Sequence, residues 1–168
     1  MIRVSIITVS DSTAAGQRED RSGPAIREFV EQQGWSVASS AVVADERMII
    51  AQRLTELSAE GAADVILTTG GTGVADRDVT PEATRAVVER EIPGLGELMR
   101  AEGRKSTPYA VLSRGLVGAK GRTLIVNLPG SPKGALESIQ VIADLIPHIV
   151  DLLQGRTEHA APAKRTPQ

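Results

Sequence analysis

Three glycines around one threonine, Gly70-Gly71-Thr72-Gly73, close an apolar run and are followed by two acids, Asp76 and Asp78, and by Thr80-Pro81. A backbone without side chains lets its amides approach an anion closely. The hydroxyls of Thr69 and Thr72 add further polar groups. A carboxylate such as Asp78 suits a hard Mg2+ ion that bridges phosphate oxygens. Together these residue types point to phosphate chemistry. The segment is not a Walker loop, because no Gly-Lys-Ser/Thr follows, and position 76 holds Asp where the dinucleotide fingerprint needs Gly. Taken alone, the glycines also fit a plain strand-to-loop turn. Asp78 fits equally well as a partner for the positive end of the next helix, worth about 0.3–1 kcal/mol, and Asp76 reads as a solvated loop charge.

Other polar groups recur where an apolar run ends. Ser10-Asp11-Ser12 offers two hydroxyls and a carboxylate, or simply an Asx- or Ser-type turn. Asp45 stands where a helix N-cap is expected, yet is also a second carboxylate for a metal or a substrate proton. In Asn127-Leu-Pro-Gly130-Ser131, an amide side chain precedes a rigid turn and a helix start that can accept an anion, with Lys133 nearby. Ser113 and Arg114 either reach the same cleft or form a hairpin salt bridge. His148, inside an apolar helical pattern, reads as a packing or surface residue.

The elements that must position these groups alternate in type. Residues 3–10, 35–44 and 63–69 read as strands, the last nearly all apolar, as suits a central parallel strand covered on both faces. Ser22 with Pro24 opens a helix that stops at Gly34. A second helix follows Asp45, with Ile49, Ile50, Leu54 and Leu57 at helical spacing. Thr80 and Pro81 begin a third, over residues 81–91, and a shorter one surrounds residues 95–103. Gly115, Gly118 and Gly121 punctuate a small hairpin or excursion leading to the buried strand 123–128. The last helix starts near Ser131 and is kinked or divided by Pro147. The pattern predicts a three-layer α/β fold, a mostly parallel sheet flanked by helices, in one domain over residues 1–155, with a disordered tail at 156–168. Ligands of such sheets lie beyond the carboxyl ends of the strands, where the polar groups above fall.

Composition narrows the chemistry. The 168 residues carry a net charge of −2, without the basic footprint of a nucleic-acid binder. No apolar run reaches the length of a membrane span, and a cytoplasmic location is expected. Cysteine is absent, which excludes disulfides and thiolate chemistry, and both histidines lie near the C-terminus. One Phe, one Trp and one Tyr leave few rings for stacking. Carboxylates, hydroxyls, cations and amides must carry any reaction.

The segments TVSDS, EDRSGP, VVADE, TTGGTGVADRDVTPEAT, LSRGLVG and NLPGSPKG, in this order over residues 1 to about 154, resemble the molybdenum-cofactor biosynthesis family of Mog/MoaB type, with the related domains of gephyrin-like proteins. The resemblance implies molybdopterin adenylyltransferase activity, in which the pterin phosphate attacks the α-phosphorus of ATP with Mg2+ as cofactor. It implies catalytic roles for Asp78 and Asp45, with Asp78 on the metal. It places Gly70, Gly71, Thr72 and Gly73 in a phosphate loop, and Ser10, Asp11, Asn127, Gly130 and Ser131 near the pocket. A homotrimer is also implied, and docking of a later molybdenum-insertion protein is left open. A non-catalytic molybdopterin-binding scaffold and a nucleotide pyrophosphate hydrolase remain as alternatives.

Overall fold

The computed structural model describes residues 1–59 and 61–156. Six strands form one sheet: β1 (Arg3–Val9), β2 (Ser36–Val43), β3 (Val65–Thr69), β4 (Arg90–Glu91), β5 (Val117–Lys120) and β6 (Thr123–Leu128). Their order is β2-β1-β3-β6-β5-β4. The pairs β2-β1, β1-β3 and β3-β6 are parallel, whereas β6-β5 and β5-β4 are antiparallel. The mostly parallel sheet therefore ends in an antiparallel edge, where of the two readings, hairpin or excursion, the hairpin is found. From β1 the chain passes out to β2 and returns to β3 on the other side of β1. The strand order reverses there, opening a crevice between β1 and β3.

Alternation along the central strands divides the core into two. Val4, Ile6, Val65, Leu67, Leu124 and Val126 belong to one cluster, which includes residues of α2 (Ser22–Gln32), α5 (Pro93–Gly103), α6 (Pro132–Ile142) and α7 (Ile146–Leu153). Ile7, Val9, Ile66 and Ile125 belong to the other, which meets α3 (Arg47–Leu57) and α4 (Thr80–Arg85). Both faces of β3 are thus buried, all five of its residues included, which explains its largely apolar character.

Local chemistry shifts several expected boundaries. After Val9, Ser10 leaves the strand and caps the short helix α1 (Asp11–Ala14), where the sequence places Ser10 at the strand end and offers an Asx- or Ser-type turn. Ser22 is not the cap of α2; Asp20 Oδ1 accepts the Gly23 amide at 3.0 Å instead. Ile49 is 46 % exposed, so the buried face of α3 rests on Ile50, Leu54 and Leu57. Helix α4 stops at Arg85 rather than near residue 91, because residues 90–91 are drawn into the sheet edge as β4. The final helix is divided as Pro147 predicts, by a 3-10 turn at Ala143–Leu145 with Pro147 in the first turn of α7. The expected tail lies, from residue 157 onward, outside the described residues. No helix among the described residues is long and apolar enough to cross a membrane.

Asn127 sits within the sheet rather than in the pocket where it was expected. It is 1 % exposed. Its Nδ2 donates to Thr68 Oγ1 at 3.0 Å and Thr84 Oγ1 at 2.9 Å, and its Oδ1 accepts the Leu116 amide at 3.3 Å. One amide therefore joins β3, α4 and the start of the hairpin. Asn127→Ala would strip partners from these buried groups, so an unfolding free energy lower by about 2–3 kcal/mol is expected in urea titrations. Wild-type stability in that variant would mean that the network is energetically idle.

Candidate active site

The cleft begins where three parallel strands end together. Gly70 follows β3, and its amide donates to Leu128 O at 3.2 Å. Thr69 Oγ1 donates to Pro129 O at 2.7 Å, which ties the same corner to the turn after β6. Gly70 has φ +101°, and a Cβ there would lie 2.2 Å from Val9 O at the end of β1. Only glycine fits. Gly71, also left-handed at φ +65°, passes so close that a Cβ would lie 2.3 Å from Thr80 Oγ1 and 3.1 Å from Asp45 Oδ1.

Beyond these ends lies a cleft of about 460 Å³, bordered by Ser10, Asp45, Gly70, Gly71, Asp78, Gly130 and Ser131 among others. Seven of the eleven residues singled out from the sequence thus meet in one place. Among the described residues, the amides of Gly71, Gly130 and Ser131 donate to no protein acceptor. They are available to an anion. Ser131 Oγ accepts the Gly134 amide at 3.1 Å and caps α6, so its hydroxyl is already engaged.

Asp45 does not cap α3, whose N-cap is Glu46 with no side-chain hydrogen bond. Its Oδ2 accepts the Asp11 amide at 2.8 Å, and Asp11 Oδ1 accepts the Asp45 amide at 2.9 Å. Two acids hold each other's backbone across 34 residues of chain. The Arg77 guanidinium donates to Asp11 Oδ2 at 2.7 Å and Glu46 Oε1 at 3.2 Å, bringing the Asp78 loop against this pair. The Arg77 hydrogen bonds pull the Asp11 carboxyl below the ordinary range, helped by the Asp45 amide. Burial pushes the Asp45 carboxyl up, and the negative charges of Asp11 and Asp78 add to the rise, against the opposing hydrogen bond from Asp11. Asp78 Oδ2 accepts the Ala75 amide at 3.0 Å, within its own loop.

The remaining expected residues stand behind the cleft. Asp11 orients Asp45 from outside it. Thr72 is buried and gives its carbonyl to the Arg114 amide at 2.8 Å. Gly73 makes room for Asp78, since a Cβ there would lie 2.7 Å from Asp78 Oδ2. Thr80 does not cap α4; its Oγ1 donates to Gly70 O at 2.9 Å and braces the glycine loop. Sequence reasoning assigned no cleft role to Thr13, Arg18, Glu19 or Arg21, all of which border the cleft. Asp20 borders it too, accepting Thr8 Oγ1 at 2.8 Å. Their signal was position: the polar stretch follows β1 directly, on the edge where β3 and β6 also end.

No three His, Cys, Asp or Glu side chains among the described residues gather as a metal cluster. An all-protein cage is therefore not what this cleft provides. Magnesium is ordinarily held by one or two carboxylates together with substrate phosphates, and Asp78 with Asp45 on the cleft wall fits that donor set.

Residues 5–148 match the family described as "Probable molybdopterin binding domain". The chain is 41% identical over 156 residues to the molybdopterin adenylyltransferase of Helicobacter pylori strain J99, covering 92% of this chain and 89% of the relative. To the Escherichia coli K12 protein of the same name it is 36% identical over 175 residues, covering 96% and 90%. The crystal structure of the molybdopterin biosynthesis enzyme MoaB from Thermus thermophilus superposes with a TM-score of 0.87 at 50% identity, covering 92% of this chain and 98% of that one. The Mog protein of Mycobacterium ulcerans gives 0.85 at 42% identity, with 91% and 99% covered.

The raised Asp45 carboxyl has a consequence for stability. The folded state keeps that proton to a higher pH than the unfolded chain does, so this group costs stability as pH rises through the interval between the two values. An Asn side chain is neutral and its oxygen can still accept the Asp11 amide. Asp45→Asn should therefore melt above wild type at neutral pH, with the gap closing as pH falls below the carboxylate range. Melting curves that differ equally at every pH would remove the raised Asp45 carboxyl as the cause.

Proposed function

The chain belongs to the family described as "Probable molybdopterin binding domain", and from that membership and the cleft we propose that it is a molybdopterin adenylyltransferase. The observation that carries this reading is the convergence of Asp45, Asp78 and the open amides of Gly71, Gly130 and Ser131 on one cleft at the strand ends. Relatives matched over nine-tenths of the chain bear that name, so the scaffold and pyrophosphate-hydrolase readings are not favoured.

The reaction joins two polyanions. An oxygen of the pterin phosphate attacks the α-phosphorus of ATP; a P–O bond forms there as the bond to the β-phosphate bridging oxygen breaks, releasing pyrophosphate and leaving adenylylated molybdopterin. A phosphate oxygen is already ionised near neutral pH, so the chain needs no histidine base. Its task is to overcome repulsion and misalignment. The three open amides bind phosphate oxygens from the strand-end side. Asp45, fixed by the Asp11 amide, orients the reacting groups from the opposite chain segment. Asp78 would hold Mg2+, with Asp45 beside it; bound there, the ion supplies neutralisation of phosphate charge. No aromatic side chain among the described residues borders the cleft, so Val9, Pro132 and main chain would face the bases. From the family resemblance we carry over a homotrimer and a molybdenum-insertion partner downstream, and from the sequence composition residence in the cytoplasm.

Purified protein given ATP, Mg2+ and molybdopterin should release pyrophosphate only when all three are present. Asp78→Asn should slow that release by about 100-fold or more while the melting temperature stays near wild type. Turnover close to wild type in the variant would sink the role of Asp78. Pyrophosphate or AMP formed without the pterin would instead identify a hydrolase.

A further inference from the structure

Arg114 lies outside the cleft, yet it holds the loop that brings Asp78 into it. We propose that Arg114 is a positioning residue for Asp78, a role that rests on the adenylyl-transfer reading above. Its amide donates to Thr72 O at 2.8 Å. Its Nε donates to Gly73 O at 2.7 Å and its Nη2 to Asp78 O at 2.6 Å. The guanidinium also pairs with Glu82 in the first turn of α4. One side chain thus grips both ends of the 73–78 loop and the helix that follows.

The grip has a firm base. Arg100 on α5 donates to Gly115 O at 3.0 Å, and Gly115 packs so closely on β6 that a Cβ there would lie 2.9 Å from Asn127 O. Within the loop, Asp78 Oδ2 is fixed to the Ala75 amide, so the carboxylate keeps its place relative to the loop. The loop must then keep its place relative to the sheet. On the inner side Thr80 does this, its amide donating to Gly71 O at 3.1 Å. On the outer side two arginines act. Arg77 pairs with exposed carboxylates that salt screens. Arg114 instead binds main-chain carbonyls in a fixed plane of donors, which a lysine ammonium cannot span. Arg114 does not border the cleft that Asp78 enters, so it acts on the reaction only through that loop.

The test compares Arg114→Ala, Arg114→Lys, Asp78→Asn and the double variant Arg114→Ala/Asp78→Asn, by steady-state adenylyl transfer and by amide hydrogen exchange. Misplacement by about 1 Å costs roughly 100-fold in rate, so Arg114→Ala should lose about that much in kcat with little change in KM for ATP. Arg114→Lys should recover only part of the loss. The double variant should be no slower than Asp78→Asn alone, because both changes disable one unit. Exchange should quicken at Ala75 and its neighbours in residues 73–79, without a matching rise across the sheet. Multiplying losses in the double variant, a kcat for Arg114→Ala within about threefold of wild type, or exchange that rises everywhere would each overturn the proposal. Should Arg114→Ala not fold, Arg114→Lys carries the same comparisons. An inactive wild type would overturn the adenylyl-transfer reading itself, and local exchange would still decide whether Arg114 holds the loop.

Discussion

At Gly70 the backbone leaving β3 presses against the carbonyl that ends β1, with no room for a single carbon atom between them. Everything in the cleft hangs on this contact. It brings the ends of β1, β3 and β6 into one corner, turns the chain so that Gly71 passes Asp45, and sends the following loop toward α1. The contact is made of main chain, so no choice of rotamer can relax it. The sheet beneath it is rigid because both faces of β3 are packed.

Electrostatics works against this geometry. Asp45 is partly dehydrated and feels two neighbouring carboxylates, a situation that folding alone would avoid. The chain tolerates it through backbone amides: Asp11 and Asp45 exchange hydrogen bonds, and Arg77 covers the outer oxygen of Asp11. The cleft thus keeps a carboxylate where stability would prefer none.

The fold was legible because its signals are periodic. Alternation and apolar runs located β1, β3 and β6, and their shared carboxyl edge located the cleft. Gly70, Gly71, Asp45 and Asp78 were legible for the same reason, since each follows a strand end. What stayed hidden was direction. Asp45 and Thr80 occupy positions typical of helix caps, but Asp45 turns to Asp11 and Thr80 to Gly70, contacts 34 and 10 residues away in the chain. Asn127 looked like a pocket residue because it ends a strand, yet the pleat turns it toward Thr68 and Thr84. Asp20 and its charged neighbours lacked any periodicity, and only the tertiary arrangement gives them a site.

The Arg114 contacts have a bearing on how such a loop ages through generations. A guanidinium that reads carbonyl oxygens is blind to the side chains attached to them. Val74, Ala75 and Asp76 lie between its two grips and are exposed. Mutational drift at these three places leaves the clasp intact, so the loop can vary in its outward character, and in whatever meets it there, while its acidic tip is delivered to the same spot.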